Sequence, residues 1–203
     1  MALTSRADSE ALYLLESQVR ELYGRVAYSH KTHEKAADGC LRKLSRVKAG
    51  QIALSALTTG GFITAILGDP STTRIAAIIG SLLSTLLLAI NSYTKDNDPG
   101  QSAQKHKDAA DKLVAIREQY LSLITDIRAS LVTPDEVRQR RDELQERLQA
   151  AYQSAPRTND VAYQTASTAL QKREELTLRP EEIDALLPPE LRRATTVQPA
   201  PSP

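Results

Sequence analysis

Side chains capable of acid–base or metal chemistry are concentrated in one short string near the N-terminus. The string YSHKTHE at residues 28–34 holds two of the three histidines of the chain. On a helix, His30 and His33 would share a face with Glu34, and such a set could hold a metal ion. The order H-x-x-H-E is neither the spacing of zinc metalloproteases nor its inversion. We therefore interpret the histidines as solvated or packed between helices, and we predict no metal and no cofactor.

No other combination of residues suggests a catalytic centre. The sequence has no glycine-rich phosphate loop, no CxxC pair and no nucleophile elbow. Its single cysteine, Cys40, rules out an intramolecular disulfide and fits a reducing compartment. With 26 Lys+Arg against 25 Asp+Glu, the chain lacks the globally basic surface of many nucleic-acid-binding proteins. We predict neither an enzyme nor direct binding of nucleic acid.

Two apolar segments predict an integral membrane protein. No charged residue occurs at positions 49–68 or 75–94. Each of these windows is long enough to cross a bilayer core, which takes about 20 apolar helical residues. The connection at 69–74 contains Asp69-Pro70 and is short, so the spans should form an antiparallel hairpin. The alternative is a helical hairpin buried in a soluble core.

Charge bias predicts the orientation of the hairpin. Four basic and no acidic residues lie at 41–48, before the first span. In the connection, Arg74 is the only basic residue. Lys and Arg accumulate on the cytoplasmic side of membrane proteins. We therefore expect both termini in the cytoplasm and the lipid bilayer as the first partner.

The spans are interrupted by small and polar residues at helical spacing. In chain order the candidates are Gln51, Ser55, Thr58, Thr59, Gly60, Gly61, Ser81, Ser84, Thr85 and Asn91. One interpretation is close helix packing through small residues. The other is a weakly polar lining of a pore. A pore requires a homo-oligomer, because two helices cannot enclose an aqueous path.

The rest of the chain predicts an all-α fold, with long cytoplasmic helices forming a coiled-coil-like bundle. A heptad-like seam and the absence of proline predict one helix from about Ser9 into the membrane. The seam residues are Leu12, Leu15, Val19, Leu22 and Val26. A further helix is predicted at about 101–131, with Leu131 in its apolar seam. The next helix is predicted to begin at Pro134, with Thr133 as its N-cap. Two more helices are predicted at 159–176 and 180–187. The predicted divisions are 1–48, 49–94, 95–193 and a disordered tail at 194–203.

The histidines lie at matching distances from the two spans. His33 precedes the first span, which begins at position 49, and His106 follows the second, which ends at position 94. At about 1.5 Å per helical residue, the two lie at similar depth below the membrane. If the flanking helices pair, His30, His33, His106 and Lys105 could face one another near Glu34. Such a cluster would suit an anionic ligand or a polar packing layer.

Several strings in the chain resemble the SLATT family. They are YSHKTHEK at 28–35, ALSALTTGG at 53–61, YTKD at 93–96, KHK at 105–107, APRT at 155–158, EELT at 174–177 and EID at 182–184. The similarity covers about residues 8–193. Members of this family are described as two-helix membrane effectors of bacterial conflict systems. They accompany synthases of nucleotide second messengers or, in some subfamilies, reverse transcriptases.

The resemblance implies a pore-forming effector of anti-phage defence in the bacterial inner membrane. When triggered, it would oligomerise, permeabilise the membrane and stop growth of the infected cell. The resemblance also implies the candidate partners: a nucleotide second messenger, or a genomically linked nucleotidyltransferase or reverse transcriptase. Two alternatives stay open from the residues alone. One is a non-conducting scaffold or signalling protein whose helices dock a partner, and the other is a membrane-tethered enzyme.

Overall fold

A single helix of 66 residues forms the spine of the molecule. The computed structural model describes residues 2–67 and 69–177, and within these ranges it contains five helices and no strand. The helices are α1 (Ala2–Leu67), α2 (Pro70–Asp96), α3 (Pro99–Arg128), α4 (Pro134–Ser154) and α5 (Asp160–Gln171). The all-α prediction is confirmed. The predicted helix at 180–187 and the predicted tail at 194–203 lie outside the described residues.

The C-terminal part of α1 and the whole of α2 form a helical hairpin. Each helix contains an 18-residue window apolar enough to cross a membrane. None of this window is buried within the protomer in α1, and only 6% is buried in α2. The predicted two-helix hairpin is confirmed, and its exposed surface is inconsistent with the alternative of a buried soluble core.

The connection of the hairpin is shorter than the segment 69–74 predicted from the sequence. The helix α2 already begins at Pro70, and the backbone N–H of Thr73 donates to the carbonyl of Asp69 at 2.9 Å. Proline lacks an N–H and has a fixed φ, so it is well suited to the first turn of a helix. It therefore starts α2 here as well as ending the preceding segment.

The polar part of α1 packs with α3, α4 and α5 into what we call the bundle. α3 runs back along α1, and α4 returns antiparallel to α3. The predicted seam of α1 faces this core: Leu15, Val19 and Val26 are buried, and Leu12 and Leu22 pack against them. From α3 and α4 the core receives Leu113, Ile116, Tyr120, Leu123, Ile127, Val137, Leu144 and Leu148. The seam thus makes its contacts within one protomer.

The helix ends explain where the sequence-based boundaries were wrong. Leu131 was predicted to continue the seam of α3, but it is 73% exposed. The helix ends at Arg128 and Ser130 adopts a φ of 55°, so Val132 is the residue buried instead. α4 begins as predicted, with a capping box between Thr133 and Glu136.

α5 is shorter than the helix predicted at 159–176. It ends at Gln171, and Glu174 adopts a φ of 51°. Beyond the turn, the carboxylate of Glu175 accepts from the Lys35 ammonium at 2.9 Å and pairs with Lys31 at 2.8 Å. These two ion pairs hold the segment after α5 against α1.

Candidate functional site

The contact face of the hairpin is defined by three side-chain and backbone approaches. Near the bundle, the Gln51 side-chain amide donates to Asn91 Oδ1 at 2.7 Å. Near the connection, Thr73 Oγ1 donates to the carbonyl of Ala65 at 3.1 Å. Between them, a Cβ added to Gly61 would lie 3.9 Å from the carbonyl oxygen of Ala76. Gly61 therefore faces the backbone of α2, and a Cβ there would make an ordinary van der Waals contact with it.

Four candidate hydroxyls lie outside this contact face, and they lie together. Ser55, Thr59, Ser81 and Thr85 are exposed, and each follows a less exposed residue at the contact, such as Thr58 or Gly80. One residue turns a helix by about 100°. In an antiparallel pair, the residue that follows a contact residue by one position therefore points to the same side of the pair on both helices. We call the surface formed by these four residues the hydroxyl face.

A small cavity supports this assignment of sides. It has a volume of about 160 Å³ and is lined by Gly61, Phe62, Ala65, Ala76, Ala77, Gly80 and Ser81. Phe62, Ala77 and Ser81 each follow a contact residue by one position, and all three border the same cavity. The two helices therefore present these positions on one side of the hairpin.

The hydroxyl groups of the hairpin bond mainly to their own helices. Thr58, Thr59 and Thr85 donate to the carbonyls four residues earlier, at 2.8–2.9 Å. Each hydroxyl hydrogen is then satisfied, while the oxygen can still accept a hydrogen bond. The hydroxyl face consequently offers uncharged acceptors to water or to another copy of the hairpin.

The other candidates in the spans divide between two environments. Thr58, Gly61 and Ser84 are partly buried against the neighbouring helix, whereas Gly60 is exposed and a Cβ there would meet nothing within 4 Å. The adjacent glycines of the sequence thus have different surroundings. The sequence did not distinguish them, because the distinction depends on how α2 is rotated against α1.

In the bundle, two histidines form a direct contact between α1 and α3. His33 Nδ1 and His106 Nδ1 lie 3.0 Å apart, and both side chains are buried. One ring donates and the other accepts, so a neutral pair satisfies both nitrogens. Burial, and then the positive charge that His106 would carry, lower the pKa of His33 to about 4. The pair therefore acts as a neutral polar layer between the two helices.

The remaining members of the predicted histidine cluster are placed differently. Arg117 Nη1 lies 3.3 Å from His30 Nδ1, and His30 Nε2 lies 3.7 Å from Glu34. Burial lowers the pKa of His30, although the carboxylate of Glu34 opposes that shift. Lys105 is exposed and does not join this buried layer. The structure thus brings His33 and His106 together, places His30 beside Arg117, and leaves Lys105 on the surface.

A cavity in the bundle, which we call the bundle cavity, was not predicted from the sequence. It has a volume of about 560 Å³ and lies between α1, the end of α4, the following loop and α5. Its lining residues are Tyr28, Ser29, Thr32, His33, Tyr152, Ala155, Pro156, Arg157, Thr158 and Tyr163. The strings at 28–35 and 155–158, which are far apart in the sequence, meet at this cavity. Their joint presence in the resemblance was the available sequence signal for it.

Comparison with protein families gives one match that covers most of the chain. The family described as SMODS and SLOG-associating 2TM effector domain family 4 matches residues 15–182. This range includes the hairpin, the histidine layer and the walls of the bundle cavity. Neither the curated proteins nor the solved structures give a significant match.

Proposed function

We propose, for a chain that belongs to the SMODS and SLOG-associating 2TM effector domain family 4, a role as a pore-forming effector of bacterial anti-phage defence. On triggering, several copies assemble in the inner membrane through their hairpins. The assembly permeabilises the membrane and arrests growth of the infected cell. Both termini and the bundle lie in the cytoplasm, where the signs of infection arise.

The hydroxyl face is the observation that carries this proposal. A two-helix protomer cannot surround water alone, so a conducting path needs the same face from several copies. Ser55, Thr59, Ser81 and Thr85 are exposed on one side of the hairpin and are available for that arrangement. The opposite side carries exposed apolar residues suited to lipid, among them Leu57, Ile75 and Ile79.

The chemistry of the hydroxyl face predicts weak ion selectivity. Strong selectivity comes from rings of charge or from ordered carbonyls. The windows at 49–67 and 75–94 contain no charged residue. A pore lined by hydroxyls would therefore pass small ions of either sign and depolarise the cell.

The trigger is proposed to act on the bundle, because α1 connects the bundle to the membrane without interruption. Candidate triggers are a nucleotide second messenger and a genomically linked nucleotidyltransferase or reverse transcriptase. Each would act on the cytoplasmic side. The triggered change would reach the hairpin through the single helix α1.

The test replaces hydroxyls on the two sides of the hairpin. The double variant Ser55→Leu/Thr59→Leu should abolish dye entry and depolarisation in induced cells, because an apolar constriction dewets a pore. The control is Thr64→Leu. Because Thr64 precedes the contact residue Ala65 by one position, it lies on the opposite side of the hairpin. This variant should conduct as the wild type does. All variants are compared at equal membrane content.

Two results would contradict the proposal. The double variant could depolarise cells at the wild-type rate, which would remove the hydroxyl face from the conduction path. Alternatively, the wild-type protein could fail to depolarise cells even with its genomic neighbours, and a non-conducting scaffold would then explain the chain better.

The proposed orientation has its own test. Cys40 should react with a membrane-impermeant maleimide only after permeabilisation. A cysteine placed at the connection, Asp69→Cys in a Cys40→Ser background, should react in intact spheroplasts. The reverse pattern would show the opposite topology.

A further inference from the structure

We propose that the bundle cavity is a binding site for a small organic anion with a planar ring, of the nucleotide class. The inference deepens the proposed function, in which a nucleotide is one candidate trigger. The site is nevertheless separate from the hydroxyl face, and binding to it does not require that the protein conduct. Three properties of its walls support the proposal: aromatic rings, free hydrogen-bond donors, and a lack of acidic groups.

Aromatic surface is the first property. Tyr28, Tyr152 and Tyr163 all line the cavity, although the whole chain has only seven Tyr, one Phe and no Trp. The rings of Tyr28 and Tyr163 lie 6.1 Å apart at an angle of 31°. Tyr163 remains 54% exposed and Tyr152 41% exposed. Exposed tyrosine rings at a cavity provide flat surfaces on which a base can stack.

Free donors are the second property. Tyr28 OH accepts from the Gln171 side-chain amide at 2.7 Å, so its own hydrogen can be donated elsewhere. Ser29 Oγ and Tyr152 OH share one hydrogen bond at 2.9 Å, which leaves one of their two hydrogens unused. Arg157 is exposed at the rim and makes no ion pair or hydrogen bond with the described part of the chain. An arginine can bind phosphate or carboxylate in a bidentate manner.

The third property is the sign of the charges. Among the described residues that line the cavity there is no Asp or Glu, while Arg157 is positively charged. Donors without competing carboxylates favour an anion over a cation or a neutral sugar. The sequence suggests an anionic ligand at the histidines themselves, whereas the structure provides the donors on the cavity side of His33.

The size of the cavity decides between a simple anion and a larger ligand. Small-molecule sites in proteins commonly have volumes of about 300–1,000 Å³. Inorganic phosphate would occupy a small part of this cavity and would leave the tyrosines uncovered. A ligand with both a planar ring and a phosphate would use the aromatic and the cationic walls together.

The position of the cavity gives bound ligand a route to the membrane. Its α1 wall includes residues 28–33, and α1 continues into the hairpin without a break. From His33 to Ala49 the helix rises about 24 Å. A ligand would join α1 to the loop at 155–158 and to α5, none of which enters the hairpin.

The experiment measures binding to the full chain purified in detergent and reconstituted in nanodiscs. Calorimetric titrations use three probes: adenosine 5′-monophosphate, adenosine and inorganic phosphate. The other ribonucleoside monophosphates are titrated in the same way. At least one monophosphate should bind about tenfold more tightly than its nucleoside and than phosphate, because only it uses both walls.

Variants then assign the two parts of the ligand to the two walls. Arg157→Gln should weaken binding of the monophosphate by at least about tenfold and leave nucleoside binding unchanged. Tyr163→Ser should weaken binding of both. The matched control Arg25→Gln removes an arginine that pairs with Glu21 on the exposed side of α1 and does not line the cavity. It should bind as the wild type does.

The proposal is overturned if no monophosphate shows saturable binding, if phosphate alone binds as tightly, or if Arg157→Gln binds as the wild type does. None of these outcomes bears on conduction. Conversely, a chain that binds nucleotide but never depolarises cells would refute the pore and retain the binding site.

Discussion

One helix, α1, runs through two environments that use apolar side chains in opposite ways. In the bundle, its apolar seam is buried, with Val19 and Val26 at 0% exposure. In the hairpin, Ile52, Leu57 and Phe62 are 59–71% exposed in the single protomer. The bundle completes its core within one chain, whereas the hairpin depends on lipid or further copies to cover it. Apolar residues on α1 therefore form a core in the bundle, whereas in the hairpin they form a surface that needs lipid or further copies to cover it.

The polar groups of the two regions also differ, in whether they bond between helices or within one helix. The buried histidines of the bundle bond across helices, as His33 does with His106. In the hairpin, most hydroxyls bond within their own helix, and Gln51 with Asn91 is a side-chain bond that joins the two helices. Cross-helix bonds fix how the bundle helices pack. The hairpin, with few of them, can change its neighbours at a lower energetic cost.

A buried charge in the bundle should have the largest effect. Val19→Asp places a carboxylate at a fully buried position, which should cost roughly 4 kcal/mol or more of the free energy of unfolding. Loss of the bundle helicity can be followed by circular dichroism in detergent with increasing urea. The control Leu14→Asp, at a residue 62% exposed on the same helix, should change stability by less than about 0.5 kcal/mol.

The same variant tests whether the two regions are independent. The apolar windows of the hairpin are not buried in the bundle core, so Val19→Asp should still resist carbonate extraction from membranes. Extraction of the variant, with wild-type protein retained, would show that the bundle is needed to keep the hairpin inserted.

Acid should destabilise the bundle through its histidine layer. The pKa of His33 is about 4 in the folded protein against its usual 6.5, so the unfolded state binds more protons between these values. The stability contributed by neutral His33 is fully present above pH 6.5 and is lost as the pH falls to about 4. At about 1.4 kcal/mol per pKa unit, the loss is roughly 3 kcal/mol.

The measurement is the free energy of unfolding of the bundle between pH 7.5 and 4. His33→Phe cannot take up the proton, and its stability should change less over the same interval. Equal pH dependence of the variant and the wild type would assign the effect to other groups. The apolar windows of the hairpin contain no Asp, Glu, His, Lys or Arg and should contribute nothing in this range.

The two adjacent glycines of the hairpin should respond differently to the same substitution. Gly61→Leu forces a side chain toward the Ala76 carbonyl and should weaken the hairpin by about 1–3 kcal/mol. Gly60→Leu has open space and should leave the hairpin intact. Disulfide formation between Gln51→Cys and Asn91→Cys, in a Cys40→Ser background, reports the pairing. Equal cross-linking of both leucine variants would contradict the assigned contact face.

A small stabilisation is expected at Tyr120. This residue is completely buried, its hydroxyl has no hydrogen-bond partner among the described residues, and burial raises its pKa to about 12. Tyr120→Phe removes the unsatisfied group and keeps the ring, so stability should rise by about 1 kcal/mol. A loss of stability in thermal unfolding would indicate that the hydroxyl is solvated in the protein.

Local patterns in the sequence were sufficient for the helices, the hairpin and most of the core. The uncharged windows at 49–68 and 75–94 predicted the hairpin because crossing a bilayer depends on length and polarity alone. The seam of α1 and the Thr133 capping box were also predictable, since spacing and capping act over a few residues. The family match over residues 15–182 confirms the resemblance to the SLATT family. The string at 182–184 was one of those that carried this resemblance.

Tertiary structure decided which residues meet. Helical periodicity does not specify how one helix is rotated against another, so only the structure separated Gly61 from Gly60 and gathered the hydroxyl face. It also decided that the seam packs within one protomer, that Leu131 is exposed, and that His106 meets His33. The bundle cavity depends on two stretches that are distant in the chain, 28–33 and 152–163, and its walls exist only because α4, the loop after it and α5 return to α1. Contacts of this kind depend on the relative positions of whole elements, which local sequence patterns do not encode.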